Sequence, residues 1–180
     1  MTILDRPLTD ALLLQPNVFE DPRGTFIETF KAVEFQNLVP GVVFVQDNQS
    51  TSIKGALRGL HFQTPPHAQT KLIRVVHGQI LDVIVDCRLK SPTYGQHFAV
   101  ELSAENHLQL LVPKGYAHGF LTLSETSTVN YKVDDYYHPE CDGGIAYNDP
   151  DLGIDWPLSD CIISEKDLSL PILKDLKNPF

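Results

Sequence analysis

Between residues 42 and 132, apolar and polar residues alternate in short runs broken by turn formers, the spacing of a β-sandwich or barrel. The runs predict strands over 42–49, 57–62, 71–77, 79–86, 94–102, 107–112, 118–123 and 126–132, with Gly78 joining two of them tightly. In the run 79–86, Gln79, Leu81, Val83 and Val85 form a mostly apolar face, while Ile80, Asp82, Ile84 and Asp86 mix apolar and acidic side chains. That alternation places Asp82 and Asp86 together on the less buried face. Helix is predicted only over 32–38, ending before Pro40, and over 165–170, ending before Pro171. The turn Asp21-Pro22-Arg23-Gly24 leads into a further strand or hairpin over 25–30, outside the barrel proper. The expectation is one mainly β domain over 1–180: an N-terminal arm (about 1–41), a barrel core (about 42–132) and a C-terminal segment (about 133–180), with a few short peripheral helices. No internal repeat or low-complexity tract divides it.

Charge narrows the function. Fourteen basic against twenty-three acidic residues give a formal charge of -9, so no general positive field exists for nucleic acid or an anionic membrane, and a phosphate must be gripped by a few local cations. Apolar runs such as 80–85 are too short to span a bilayer, and the start MTILDRPLTD lacks a secretory pattern, so a cytoplasmic location is expected. Cys87, Cys141 and Cys161 are far apart and lack CxxC spacing; they read as reduced structural residues.

Four polar side chains interrupt the strands: Arg58 and His61 in LRGLHFQ, Lys71 in TKLIRVVHG and His118 in PKGYAHGF. Buried without partners, each would cost about 1–3 kcal/mol, so they either satisfy one another in the core or line a wet cavity. Arg58 and His61 fall on opposite faces of a regular strand, so one pocket can hold both only if the chain bulges near Gly59. The frame resembles the two motifs of cupin barrels, in which a glycine leads to a His-x-His pair, then a glutamate, then another glycine. Gly55 and His61 keep that interval, Lys71 precedes Gly78 as the glutamate would, and Pro113, Gly115 and His118 match the second motif. Gln63 stands at the second histidine, and Lys71, a cation, takes roughly the place of the carboxylate ligand. Two imidazoles are fewer than the three protein ligands a catalytic zinc usually keeps. The pocket reads as a cupin-type jelly-roll barrel converted from metal to proton chemistry, with no metal.

A neutral imidazole can remove a proton from carbon if an ammonium draws the resulting charge onto an enolate oxygen. His61 and Lys71 supply those roles beside a ketone, and inversion needs an acid on the other wall, for which Tyr131 in NYKVDDYYHP is the leading candidate.

The blocks RGTFIE, VQDNQS, LRGLHFQ, QTKLIRVVHG, SPTYG, LSAENHLQLLVPKGYAHGF and YNDPDLGIDWP closely resemble the dTDP-4-dehydrorhamnose 3,5-epimerase family over residues 19–167. The resemblance implies epimerisation of dTDP-4-dehydro-6-deoxy-D-glucose at C3 and C5 without a cofactor. Carried over by position, it makes His61 the base with Asp167 orienting it, Lys71 the enolate stabiliser and Tyr131 the acid. It places Arg58 and Arg23 on the diphosphate, with Lys166 a further phosphate contact. Gln46 and Asn48 fall on polar groups of the ligand, His118 near the sugar and Tyr137 on the thymine, and Phe19 and Phe26 pack against the nucleotide. Asp142 stands where many members have glutamate, and the shorter side chain shifts a nucleotide contact. Arg23 and Glu28 lie in an arm that in this family crosses to a second subunit, which implies a homodimer with shared sites.

Taken singly, many of these residues have ordinary readings: arginines anchoring loops, tyrosines in core or rim, Asp167 capping a short helix. His67, His77, His97, His107 and His138 keep such readings, and Asp134 and Asp135 read as a solvated acidic turn. Three alternatives stay open: an epimerase acting at C3 alone or C5 alone, a metal-dependent cupin that recruits a third ligand, and a nucleotide-sugar binder without turnover. Counting the exchanged carbons, assaying chelated protein and testing His61→Ala separate them.

Overall fold

The computed structural model describes residues 1–177 and 180. In chain order the elements are β1 (Thr2–Asp5), β2 (Leu12–Gln15), β3 (Val18–Asp21), β4 (Gly24–Ile27), α1 (Ala32–Leu38), β5 (Gln46–Ile53), β6 (Leu57–Gln63), β7 (Lys71–His77), β8 (Gln79–Asp86), β9 (His97–Ser103), β10 (Gln109–Val112), β11 (Tyr116–Thr122), β12 (Thr126–Val133), β13 (Asp142–Gly144) and α2 (Glu165–Leu168). Two antiparallel sheets face each other as a cupin-type barrel: six strands in the order β1-β2-β10-β7-β12-β5, and five in the order β13-β6-β11-β8-β9. The β3–β4 hairpin stands apart as its own two-stranded sheet.

The interior is closed by Ile73, Val75, Leu110 and Val129 from the larger sheet against Ile80, Ile84, Leu102 and Phe120 from the smaller. A second cluster, including Val83, Val85, Leu152 and Leu173, packs the C-terminal segment on the outside of the five-stranded sheet. A third seats Phe35 of α1 with Leu12, Leu14, Leu72 and Leu111. Among the described residues no helix is long and apolar enough to cross a membrane.

Three sequence expectations need correction. Asp82 and Asp86 have no exposed surface. The alternation along β8 is right, but its sense is inverted. Val83 and Val85 lie under the C-terminal segment, whereas Ile80 and Ile84, which share a face with the aspartates, point into the barrel. β5 starts at Gln46 instead of residue 42 and runs to Ile53. Hydrophobicity drew the expected strand onto VVFV, but there Phe44 leaves the barrel to pack edge-on with Phe30 and Phe35. The polar stretch from Gln46 makes the strand instead, paired with β12 in unbroken register from Gln46↔Val133 to Ile53↔Thr126. β1 and β2 were not expected at all; β2 extends the larger sheet by pairing with β10.

The bulge expected near Gly59 is present. His61 pairs with His118 and Arg58 with Phe120, so the register slips between them. Gly59 has a φ of +122°, and a Cβ there would fall 2.5 Å from the Gly119 Cα, so no other residue fits.

Candidate active site

Between the two sheets, at one end of the barrel, lies a cavity of about 530 Å³. Arg58 and His61 reach it from β6, His118 from β11, Lys71 from β7 and Tyr131 from β12, while Lys166 and Asp167 of α2 close one side. His61 thus sits on the five-stranded wall, and Lys71 and Tyr131 on the six-stranded wall.

His61 Nε2 lies 2.7 Å from Asp167 Oδ1, and the other Asp167 oxygen accepts the Gly59 N–H at 3.2 Å. Ser164 caps α2 by accepting the Asp167 N–H, which fixes where this buried carboxylate points. A carboxylate only accepts, so the imidazole proton resides on Nε2 and the lone pair on Nδ1. Burial lowers the His61 pKa below its ordinary 6.5, outweighing the opposite pull of Asp167. The ring is therefore neutral near pH 7 and able to accept a proton.

Lys71 donates from Nζ to the His61 carbonyl at 3.2 Å. Burial pushes its pKa down to about 8, with Asp82 and Asp142 drawing it back up. It stays mostly cationic at neutral pH. Burial also raises the Tyr131 pKa, so the phenol keeps its proton. His118 Nε2 lies 2.6 Å from Asp82 Oδ1, a second histidine–carboxylate pair beside the first, while Asp82 Oδ2 has no hydrogen-bond partner among the described residues. Sequence reasoning missed Ser164, which lines the cavity, and Asp82, which holds the His118 ring from behind it. The signal for Asp82 was its phase with Ile80 and Ile84, misread as an outward face.

At the rim, Asp142 accepts from Lys166 and, at 3.0 Å, from the Tyr137 hydroxyl. Burial opposes that carboxylate's charge, but the two donors prevail and hold its pKa below the ordinary value. Arg58 donates from Nε to Ser52 Oγ at 3.0 Å, and Gln46 Nε2 to Asn48 Oδ1 at 2.8 Å on β5. Eight expected residues do not line the cavity of their own chain: Gln46, Asn48, Tyr137 and Asp142, just described, and the four residues of the N-terminal arm. Phe19 and Phe26 stand 57% and 68% exposed on the hairpin, Arg23 projects from its tip against Asp21, and Glu28 pairs with Lys31.

The fold and the cavity together define a cupin-type barrel protein with a pocket of small-ligand size into which a few charged and polar side chains converge. The family model described as dTDP-4-dehydrorhamnose 3,5-epimerase matches residues 5–175. A dTDP-4-dehydrorhamnose 3,5-epimerase from Methanothermobacter thermautotrophicus is 51% identical over 171 residues, covering 93% of this chain and 92% of its own. Among solved structures, the Legionella pneumophila dTDP-6-deoxy-D-glucose-3,5-epimerase, in complex with dTDP-4-keto-L-rhamnose, superposes with a TM-score of 0.94 at 44% identity, covering 97% of this chain and 94% of that one. A 3′-monoepimerase from Streptomyces bikiniensis in complex with dTDP-quinovose gives 0.87 at 33% identity, covering 93% and 85%. This chain belongs to the dTDP-4-dehydrorhamnose 3,5-epimerase family.

Proposed function

We propose that this enzyme, an isomerase, converts dTDP-4-dehydro-6-deoxy-D-glucose to dTDP-4-dehydro-L-rhamnose by inverting C3 and C5. Both carbons flank the C4 ketone, so one enolate-stabilising group serves both inversions. His61 takes the proton from carbon on Nδ1, and the C–H electron pair moves to the C4 oxygen, where the Lys71 ammonium stabilises it. Tyr131 gives its hydroxyl proton to the opposite face as the pair returns to carbon. Solvent then takes the proton from His61 and restores that of Tyr131, so no redox equivalent is consumed. Asp167 holds the His61 tautomer and stabilises the imidazolium once it forms. The observation that carries this reading is the placement of the neutral imidazole and the phenol on opposite sheets of one cavity that also holds the ammonium.

Arg58 and Lys166 would grip the diphosphate, His118 the sugar, and Tyr137, Asp142, Gln46 and Asn48 the nucleotide end. The hairpin, with Arg23, Glu28, Phe19 and Phe26, would complete the site of a second copy in a homodimer. Two ring faces left 57% and 68% exposed favour such exchange. A charged nucleotide sugar does not cross a bilayer unaided, which favours work in the cytoplasm, where nucleotides are made. Turnover in deuterated water tests the reaction: label at C3 and C5 supports it, and label at neither excludes it. The likeness to a 3′-monoepimerase favours one second reading, single-carbon epimerisation, which label at one carbon alone would reveal.

A further inference from the structure

Away from the cavity, the loops after β6 and after β12 bring three other side chains together. His67 Nδ1 lies 3.0 Å from Asp135 Oδ2, the His67 and His138 rings stack with centroids 3.4 Å apart, and one donor atom from each of the three residues falls within 4.8 Å of the others. The proposed reaction uses none of them. We infer that His67, Asp135 and His138 form a binding site for a divalent transition-metal ion of the zinc type, separate from the epimerase pocket.

The donor set and its spacing support this. Two ligands of a tetrahedral zinc, each about 2.0–2.1 Å from the ion, sit about 3.3 Å apart. The His67–Asp135 pair, now joined by a hydrogen bond, already stands close to that separation. Two imidazoles and one carboxylate favour zinc, nickel or copper over magnesium or calcium, which prefer oxygen ligands throughout. Glu140 Oε1, 3.0 Å from His138 Nδ1, adds a carboxylate of the kind that sets the tautomer of a ligating histidine and adds negative charge beside the ion.

The two loops are also held in register in advance. Gln63, only 4% exposed, donates from Nε2 to the carbonyls of His67 at 2.8 Å and Tyr136 at 3.0 Å, and its Oε1 accepts the His138 N–H at 2.6 Å. Gln69 Nε2 adds a bond to the Asp135 carbonyl at 2.8 Å. Parallel rings cannot both hold one ion in their planes, so loading turns the His138 ring out of the stack. That rotation gives the site a spectroscopic signature of its own.

The test is titration of chelator-treated, dialysed protein with zinc chloride by calorimetry, with cobalt(II) absorption and histidine ring-proton NMR as further readouts. One ion per chain is expected, with a higher melting temperature and shifted His67 and His138 ring signals. Binding is lost in His67→Ala and in His138→Ala and kept in His61→Ala. Glu140→Gln, an exposed change that leaves the ligands in place, weakens binding about tenfold or more. Absence of saturable binding to the parent protein, binding that survives both His67→Ala and His138→Ala, or binding abolished by His61→Ala overturns the inference.

Discussion

Asp86 and Asp82 share the inward face of β8, and neither has exposed surface. Asp86 receives Arg88 through Nε at 2.9 Å and Nη2 at 2.8 Å, with the hydroxyls of Ser91 at 2.5 Å and Thr93 at 2.7 Å. Burial works against its charge, yet these donors prevail and hold its pKa at about 2. Asp82 has the His118 ring on one oxygen and no hydrogen-bond partner among the described residues on the other, and part of its field goes to raising the Lys71 pKa. One end of the barrel thus saturates its buried charge, which fixes structure. The other leaves a carboxylate only half paired behind the His118 ring that lines the cavity, where its field keeps the Lys71 ammonium charged for the reaction.

Substitutions at the two ends should therefore separate activity from stability. His61→Ala is expected to lower kcat by roughly 10²–10⁴-fold with nucleotide affinity little changed, as steady-state kinetics and calorimetry with dTDP would show. Lys71→Ala should remove about 3 kcal/mol of transition-state stabilisation and leave KM nearly constant, because the ammonium acts on charge that develops only during reaction. Loss of binding with unchanged kcat would contradict that role. Asp86→Asn, by contrast, should leave turnover intact and cost roughly 2–3 kcal/mol of stability at pH 7, measured by urea unfolding. The Asp86 pKa is depressed from 3.8 to about 2, so this stability is present above the unfolded value and fades as pH falls through about 2, where parent and variant converge.

The smallest effect concerns pH. His61 must be neutral and Lys71 protonated, so kcat/KM should rise through a His61 value below 6.5 and fall again near 8. Asp82→Asn removes a field that raises the Lys71 pKa and should move the alkaline limb to lower pH. Asp86→Asn should leave that limb in place. Equal shifts in the two variants would erase the contrast between the ends.

The sequence showed much of this architecture wherever local pattern and tertiary pairing agree. β7, β8 and α1 fall where periodicity puts them, and the Gly59 bulge followed from the opposite parities of Arg58 and His61. It failed where a strand is defined by its partner. The residues of β5 are polar and lie in the sheet because β12 pairs with them, while the four-residue β1 and β2 are too short to show a period. Asp82 shows the limit most plainly. Alternation gives which residues share a face, but which face is inside depends on the C-terminal segment covering Val83 and Val85, far along the chain. The same holds for Asp135, read as solvated, whose partner His67 comes from another loop.

The central claim is that base and acid act on opposite faces of the sugar because they stand on opposite sheets. Tyr131→Phe in deuterated water tests it most directly. With His61 intact, the account predicts that deuterium still enters the carbon next to the ketone, returned by His61 with configuration retained, while inversion is largely lost. Undiminished inversion, or equal loss of exchange and inversion, would contradict it.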